Sequence, residues 1–409
     1  MNAAAQPGET YVYLSEMKTR LGCPKAVAVD ATGAVYAGCC LNTGGGIEKF
    51  IPAPDGAVGN GWAAAWALEP GRVSGLAWAP SGALCATVRA RQVCGVHEYA
   101  PDGSLLRQWG HENGSAAPLY NPLGIAVNAS SGAVYVLQAN LWTGPRVLDG
   151  NRLSRFRADG TFEARWGANG DGPGQFNLPI GIAVSRSGEV FVADTYNSRV
   201  QVFSPDGVFL RQWGTLGAGD AQLHCPQGIA VDDAGAVFIA DTQNNRLKKF
   251  SPDGRLLAAW GRRGTAPGDV WLPCGIALDR AGRIYVADSM NERIQVFARA
   301  ADAPAGQPPG AVSVCSEQLG RPDQSDSSGA SGAPVCFYPP NLPDAPHLAD
   351  ALPPKPADPG AEAGAVSRWG AESLESRLRT VALEMGARSE EHTSELQSQF
   401  HLVCRLLLE

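Results

Sequence analysis

Short apolar runs, each closed by a turn residue, recur along most of this chain. The stretch from Pro226 to Gly261 holds four of them: "PQGIAVDDAG" (Pro226–Gly235), "AVFIAD" (Ala236–Asp241), "RLKKFSPDG" (Arg246–Gly254) and "RLLAAWG" (Arg255–Gly261). They are rich in Val, Ile, Leu, Phe or Trp and end at Gly, Asp or Asn. Runs of this kind, spaced about 8–12 residues apart, predict β-strands joined by tight turns. The pattern Asp-x-x-Asn-x-Arg occurs at Asp194, Asn197 and Arg199, at Asp241, Asn244 and Arg246, and at Asp288, Asn291 and Arg293, in steps of 47 residues. A fixed period of that size is the mark of a repeated structural unit. Asp at the end of one strand is expected to pair with Arg at the start of the next, with Asn capping the turn between them. One enzyme rarely needs three copies of a catalytic cluster.

The turn residues repeat with the strands. Gly33, Gly82, Gly132, Gly188, Gly235 and Gly282 close the first turn of successive units, and "PDG" or "ADG" marks a later one. Pro pre-sets φ, Asp caps through its side chain and Gly supplies a positive φ. A fourth strand ends in Trp-Gly at Trp109, Trp166, Trp213 and Trp260, tryptophans expected to pack between neighbouring units. First strands begin near Ala26, Gly75, Gly124, Gly181, Gly228 and Gly275, six units in all. Four short strands repeated six times predict an all-β, six-bladed β-propeller over residues 9–299. The last unit stops at "RIQVF" without its fourth strand, and "ETYVYLSEMK" (Glu9–Lys18) precedes the first unit. The N-terminal strand is therefore expected to complete the last blade and close the ring.

The segment "LPIGIAVSRSGEVFVADTYNSRVQVFSPDGVFLRQWG" (Leu178–Gly214) closely resembles the NHL repeat, and the resemblance extends over about 290 of the 409 residues. It weakens toward the first two units. The resemblance implies a six-bladed propeller and a general role as a binding platform for protein, peptide or RNA. Other propellers of this shape are the amidating lyases and gluconolactonases, which hold a metal in the central channel through His or carboxylate and Asn ligands. The corresponding channel positions here are Lys25, Ser74, Leu123, Ile180, Gln227 and Cys274, with neither His nor carboxylate among them. His224 stands alone near a first strand, and Asp30, Asp232 and Asp279 fall where turns use Asp. The RING, B-box and kinase domains that accompany the repeat elsewhere are not in this chain. The expectation is a non-catalytic scaffold with no cofactor and no metal site, the alternative being a metal-dependent enzyme of the lyase or lactonase kind.

Composition narrows the picture little. Residues 1–300 carry 26 Lys+Arg against 25 Asp+Glu, and residues 301–409 carry 7 against 15. The propeller is thus not a generally basic, nucleic-acid-like body. No apolar run is long enough for a membrane helix, and the first residues show no signal-peptide pattern. A monomer is expected, with a cytoplasmic location favoured. Ten cysteines show no C-x-x-C pair, so a finger-type zinc site is not expected. Cys85 with Cys94, and Cys315 with Cys336, are candidate disulfides, against free buried thiols in a reducing compartment.

After Arg299 the chain turns rich in Pro, Ala, Gly and Asp, and residues 300–363 read as a flexible linker. Leu374, Leu378, Val381 and Met385 fall at helical spacing and predict a short amphipathic helix within 364–386. The segment "RSEEHTSELQS" resembles the in-frame translation of a sequencing adapter, which marks 387–409 as artefactual.

The third unit steps 57 residues to the next, and most of its surplus lies in "LQANLWTGPRVLDGNR" (Leu137–Arg152). Repeat insertions gather on the working face. Leu141, Trp142 and Arg146 in this insertion are therefore candidate binding residues, since exposed Trp and Arg are frequent interface hot spots. Tyr196, Gln243 and Met290 share that face, and Lys25 and Gln227 stand at the channel mouth.

Overall fold

A computed structural model describes residues 9–41, 44–53, 61–90, 93–111, 117–139, 150–303 and 311–312. Blade I is β2 (Pro24–Val29), β3 (Val35–Leu41), β4 (Gly44–Pro52) and β5 (Trp62–Leu68). Blade II is β6 (Arg72–Trp78), β7 (Leu84–Ala90), β8 (Val93–Tyr99) and β9 (Leu105–Trp109). Blade III is β10 (Pro122–Val127), β11 (Val134–Gln138), β12 (Arg152–Phe156) and β13 (Phe162–Trp166). A small parallel pair, β14 (Ala168–Asn169) with β15 (Gln175–Phe176), leads into blade IV. Blade IV is β16 (Pro179–Val184), β17 (Val190–Asp194), β18 (Arg199–Phe203) and β19 (Phe209–Trp213). Blade V is β20 (Ile229–Val231), β21 (Val237–Asp241), β22 (Arg246–Phe250) and β23 (Leu256–Trp260). Blade VI joins β24 (Pro273–Leu278), β25 (Ile284–Asp288) and β26 (Arg293–Arg299) to β1 (Tyr11–Lys18) and β27 (Ala311–Val312). The fold is a six-bladed β-propeller.

The ring closes through the N-terminus, as the missing fourth strand of the last unit requires. β1 runs antiparallel to β26 from Tyr11↔Arg299 to Lys18↔Arg293. Side chains complete the substitution. Glu16 lies opposite Gln295 and binds Arg293 at 2.6 Å. In blade IV, Gln212 of the authentic fourth strand lies opposite Gln201 and accepts from Arg199 at 3.1 Å. The stretch expected to be linker supplies β27, which pairs with β1 at Tyr11↔Val312 and Val12↔Ala311. The expected helix within 364–386 and the segment 387–409 lie outside the described residues. Among the described residues, no helix is long and apolar enough to cross a membrane.

Blades pack face to face through apolar clusters, and two features set how closely. Inner-strand glycines face the next blade's backbone. A Cβ on Gly181 would lie 1.8 Å from the Gln227 carbonyl oxygen, and one on Gly228 would lie 2.0 Å from that of Cys274. Any larger residue would push the blades apart. Further out, Trp109, Trp166 and Trp213 lie against the turn glycines of the following blade, Gly160, Gly207 and Gly254. Those glycines have φ of +85° to +91°, a left-handed conformation that also leaves room for the indole. At the last junction Trp260 instead stacks on Tyr11, with ring centroids 4.2 Å apart and planes at 17°.

The antiparallel register corrects one cysteine expectation. β7 and β8 place Cys85 opposite Glu98 and Cys94 opposite Arg89, so the two thiols are not cross-strand neighbours. Neither is in a disulfide, nor are Cys23, Cys39, Cys40 and Cys274, whereas Cys225 is disulfide-bonded. Cys315 and Cys336 lie outside the described residues.

Tyr11→Ala removes the stacked ring at the closure and is expected to cost about 3–5 kcal/mol, read as a lower denaturation midpoint. A truncation of residues 9–18 is expected to cost more, because it also strips the β26 edge of its ladder. An unchanged midpoint in both would mean that β1 is not what closes the ring.

Candidate functional site

The repeated Asp, Asn and Arg form a buried clamp on the face where inner strands begin. β17 ends at Asp194, a 3-10 turn covers Thr195–Asn197, and Ser198 adopts φ 51° before Arg199 starts β18. Blades V and VI repeat the turn with Asn245 and Glu292 in the left-handed position. This geometry returns the Arg side chain onto the Asp. Arg199, Arg246 and Arg293 donate through Nε to Asp194, Asp241 and Asp288 at 2.7–2.8 Å. Asn197, Asn244 and Asn291 donate to the same carboxylates and to the carbonyls of Gly170, Gly217 and Gly264, each at 2.9 Å. The backbone N–H of Asn177, His224 or Trp271 supplies a further donor at 2.7 Å. All three carboxylates are fully buried. Their oxygens are occupied by donors, which leaves no surface for substrate.

The clamp fastens the loop that leads into its own blade. Arg199 donates to the carbonyls of Gly172 and Gln175, and Arg293 to those of Ala266 and Asp269. Thr195 and Thr242 donate onward to the Pro226 and Pro273 carbonyls of the following blade, both at 2.8 Å.

Two residues beyond each Arg lies a buried polar position that was not singled out from the sequence. It is the centre of the third strand: Ser154, Gln201, Lys248 and Gln295, with Glu48 and His97 at the same place in blades I and II, where Gly46 and Gly95 replace the Arg; all six are buried. Gln201 accepts from Gly174 N–H and donates to the Gln175 carbonyl, and Gln295 does the same with Gly268 and Asp269. Lys248 donates to three carbonyls, those of Gly219, Asp220 and Gln222, at 2.7–2.9 Å. Burial, reinforced by the Arg246 charge, lowers its pKa to about 8, so it remains the ammonium at neutral pH. Aligning the repeats at the Arg exposes this position; what hid it is that a Lys in an apolar strand reads as solvent-facing.

The central channel is lined by Lys25, Ser74, Gly124, Ile180, Gln227 and Cys274 with their strand neighbours, around about 60 Å³ of free space. Lys25 and Cys274 are brought together, Nζ to Sγ at 3.5 Å. Leu123 does not line the channel; it is buried against Ala139, Leu178 and Ile180. Asp30, Asp232 and Asp279 accept backbone N–H groups of their own turns and so act as turn caps. His224 is half-buried, and that burial lowers its pKa.

Tyr196, Gln243 and Met290 occupy the same place in the three 3-10 turns, each donating its N–H to a loop carbonyl at 3.0–3.2 Å. Met290 is 44% exposed. Gln243 is half-buried, and Tyr196 is half-buried against the Leu123 cluster. Leu141, Trp142 and Arg146 lie outside the described residues.

Comparison with known proteins agrees with this architecture. Residues 176–203, 223–250 and 271–297 are NHL repeats, matched by the family model of that name. No curated protein matches the chain in sequence. A gluconolactonase from Xanthomonas campestris superposes with a TM-score of 0.50 at 15% identity, covering 72% of this chain and 95% of its own. A Bacteroides thetaiotaomicron protein of unknown function gives 0.50 at 14% identity, covering 71% and 76%. A streptogramin B lyase gives 0.46 at 15% identity, covering 71% and 98%. At these identities the likeness is one of fold.

Arg246→Ala leaves the Asp241 carboxylate buried without its cation, and is expected to lower stability by about 3–5 kcal/mol in chemical denaturation. At Lys248, Gln is expected to be tolerated because blades IV and VI already use it. Lys248→Met strips three part-buried carbonyls of their donor and is expected to cost about 1–3 kcal/mol for each one that water does not reach. Equal midpoints for the Gln and Met variants would show that the hydrogen bonds at this position do not matter.

Proposed function

We propose that this propeller is a non-catalytic binding module that presents its clamped face to a protein or peptide partner. The observation that carries the reading is the set of three like 3-10 turns that place Tyr196, Gln243 and Met290 at one equivalent position, with Met290 exposed and the other two half-buried, on a backbone fixed from beneath by buried Asp–Arg pairs. Side chains displayed on a pre-ordered backbone lose little conformational freedom on binding, which favours affinity. Tyr and Met also supply adaptable apolar contact to a peptide surface. The competing reading is a metal-dependent hydrolase or lyase working in the channel. Small-molecule sites usually offer roughly 300–1,000 Å³, against about 60 Å³ in this channel. The balanced charge of residues 1–300 favours a protein partner over RNA.

Proximity labelling with the full chain tests the proposal. Gln243→Arg combined with Met290→Arg is expected to remove the specifically labelled partner and to weaken its binding by roughly 2 kcal/mol or more. The melting temperature should stay near that of the wild type. Val208→Arg, on an exposed turn of the opposite face, is the control expected to retain the partner. Retention by both variants would place binding elsewhere. Metal-dependent lactone hydrolysis by the purified chain would replace the proposal with the enzyme reading.

A further inference from the structure

Blade II departs from the others at the buried polar position. In blades I, IV, V and VI, backbone groups of the loop leading into the blade engage the residue there; Glu48, for example, accepts from Arg20 and Leu21 N–H. The connection from β5 to β6 is only three residues, Glu69 to Gly71, too short to do the same. The Arg position is Gly95, and the His111 ring lies over it: a Cβ on Gly95 would lie 2.8 Å from His111 Nδ1. His97 and His111 thus share the space that an Arg and loop backbone fill elsewhere. Both Nε2 atoms are buried without a hydrogen-bond partner among the described residues.

The remaining hydrogen bonds engage both rings through Nδ1 and leave Nε2 bare. Along one side of β8 the order is Gly95, His97, Tyr99. His97 Nδ1 engages the Tyr99 hydroxyl at 3.1 Å, which leaves Nε2 as its bare nitrogen. His111 Nδ1 lies 3.2 Å from the Cys94 carbonyl. A carbonyl only accepts, so Nδ1 carries the proton and Nε2 presents its lone pair. A carbonyl or hydroxyl on one imidazole nitrogen, with the other nitrogen bare, is the arrangement that prepares histidine as a metal ligand. Two imidazoles sharing one ion at about 2.0–2.1 Å from each nitrogen have ring centroids roughly 5–6 Å apart. These centroids are 5.9 Å apart.

We propose that His97 and His111 bind one divalent transition-metal ion of the zinc or copper type between blades I and II, through their Nε2 atoms, with water completing the coordination. The site is on the third strand, outside the channel lining. Imidazole pairs select borderline metals over calcium or magnesium, which prefer oxygen. His111 is half-buried, so an ion reaches the site past its ring.

Isothermal titration of the full chain with Zn²⁺ at pH 7.5, under reducing conditions, measures this directly. One equivalent is expected to bind at micromolar concentration, and His111→Ala to weaken that binding at least tenfold while retaining the fold. His97→Gln, which keeps a polar side chain of the kind used in blades IV and VI, is expected to do the same. Electron paramagnetic resonance of the Cu²⁺-loaded chain is expected to show coupling to two nitrogens, and to fewer in His111→Ala. Every cysteine remains in both variants, so binding that survives unchanged in a folded His111→Ala chain overturns the proposal by assigning the metal to thiols. A wild-type chain that binds no Zn²⁺ also overturns it, leaving a water molecule between the rings.

Discussion

Three carboxylates that water cannot reach hold together the face of this propeller on which the inner strands begin. Asp194, Asp241 and Asp288 are fully buried, and a buried ion costs several kcal/mol unless its environment compensates. Compensation here needs an Arg, an Asn and a backbone amide 17 residues upstream to converge on one group. That convergence dictates the 3-10 turn, the left-handed residue after it and the path of the loop leading into the blade. The same turn reaches the following blade through Thr195 or Thr242. One charge therefore couples a hairpin, a loop and a neighbouring blade.

Blades I to III show what happens as this device is lost. The register places Cys39 opposite Gly46, Val88 opposite Gly95 and Gln138 opposite Arg152 where the later blades have Asp opposite Arg. Without the carboxylate the convergence of donors is no longer required, and each blade satisfies its backbone differently. Blade I uses Glu48 as an acceptor for loop amides, blade III uses Gln138 to hold Tyr120 N–H, and blade II fills the space with His111. Loop length and side-chain chemistry change together, because a buried polar group and the backbone it serves must match. Blade II departs furthest, with two imidazole nitrogens buried without a hydrogen-bond partner among the described residues.

The blades themselves stay in register for reasons independent of the clamp. Inner-strand glycines bring neighbouring backbones to a distance that no side chain permits, and indoles rest on turn glycines further out. Close approach at the centre narrows the channel.

Much of this was legible in the chain. The 47-residue period, the turn glycines and the absent last strand determined six blades closed by the N-terminus, since a strand's apolar run and its turn residues are local in sequence. The pairing of Asp241 with Arg246 was legible for the same reason, five residues apart across one turn. The role of Lys248 was not, because its three carbonyl partners lie 26 to 29 residues away. Nor was the burial of Leu123 away from the channel, or the misalignment of Cys85 and Cys94, which register alone decides. His97 and His111 are fourteen residues apart on a strand and a loop, and no local pattern links them. Only the packing of β8 under the chain that follows Trp109 brings their rings together, because side chains meet across a fold according to strand register and loop length.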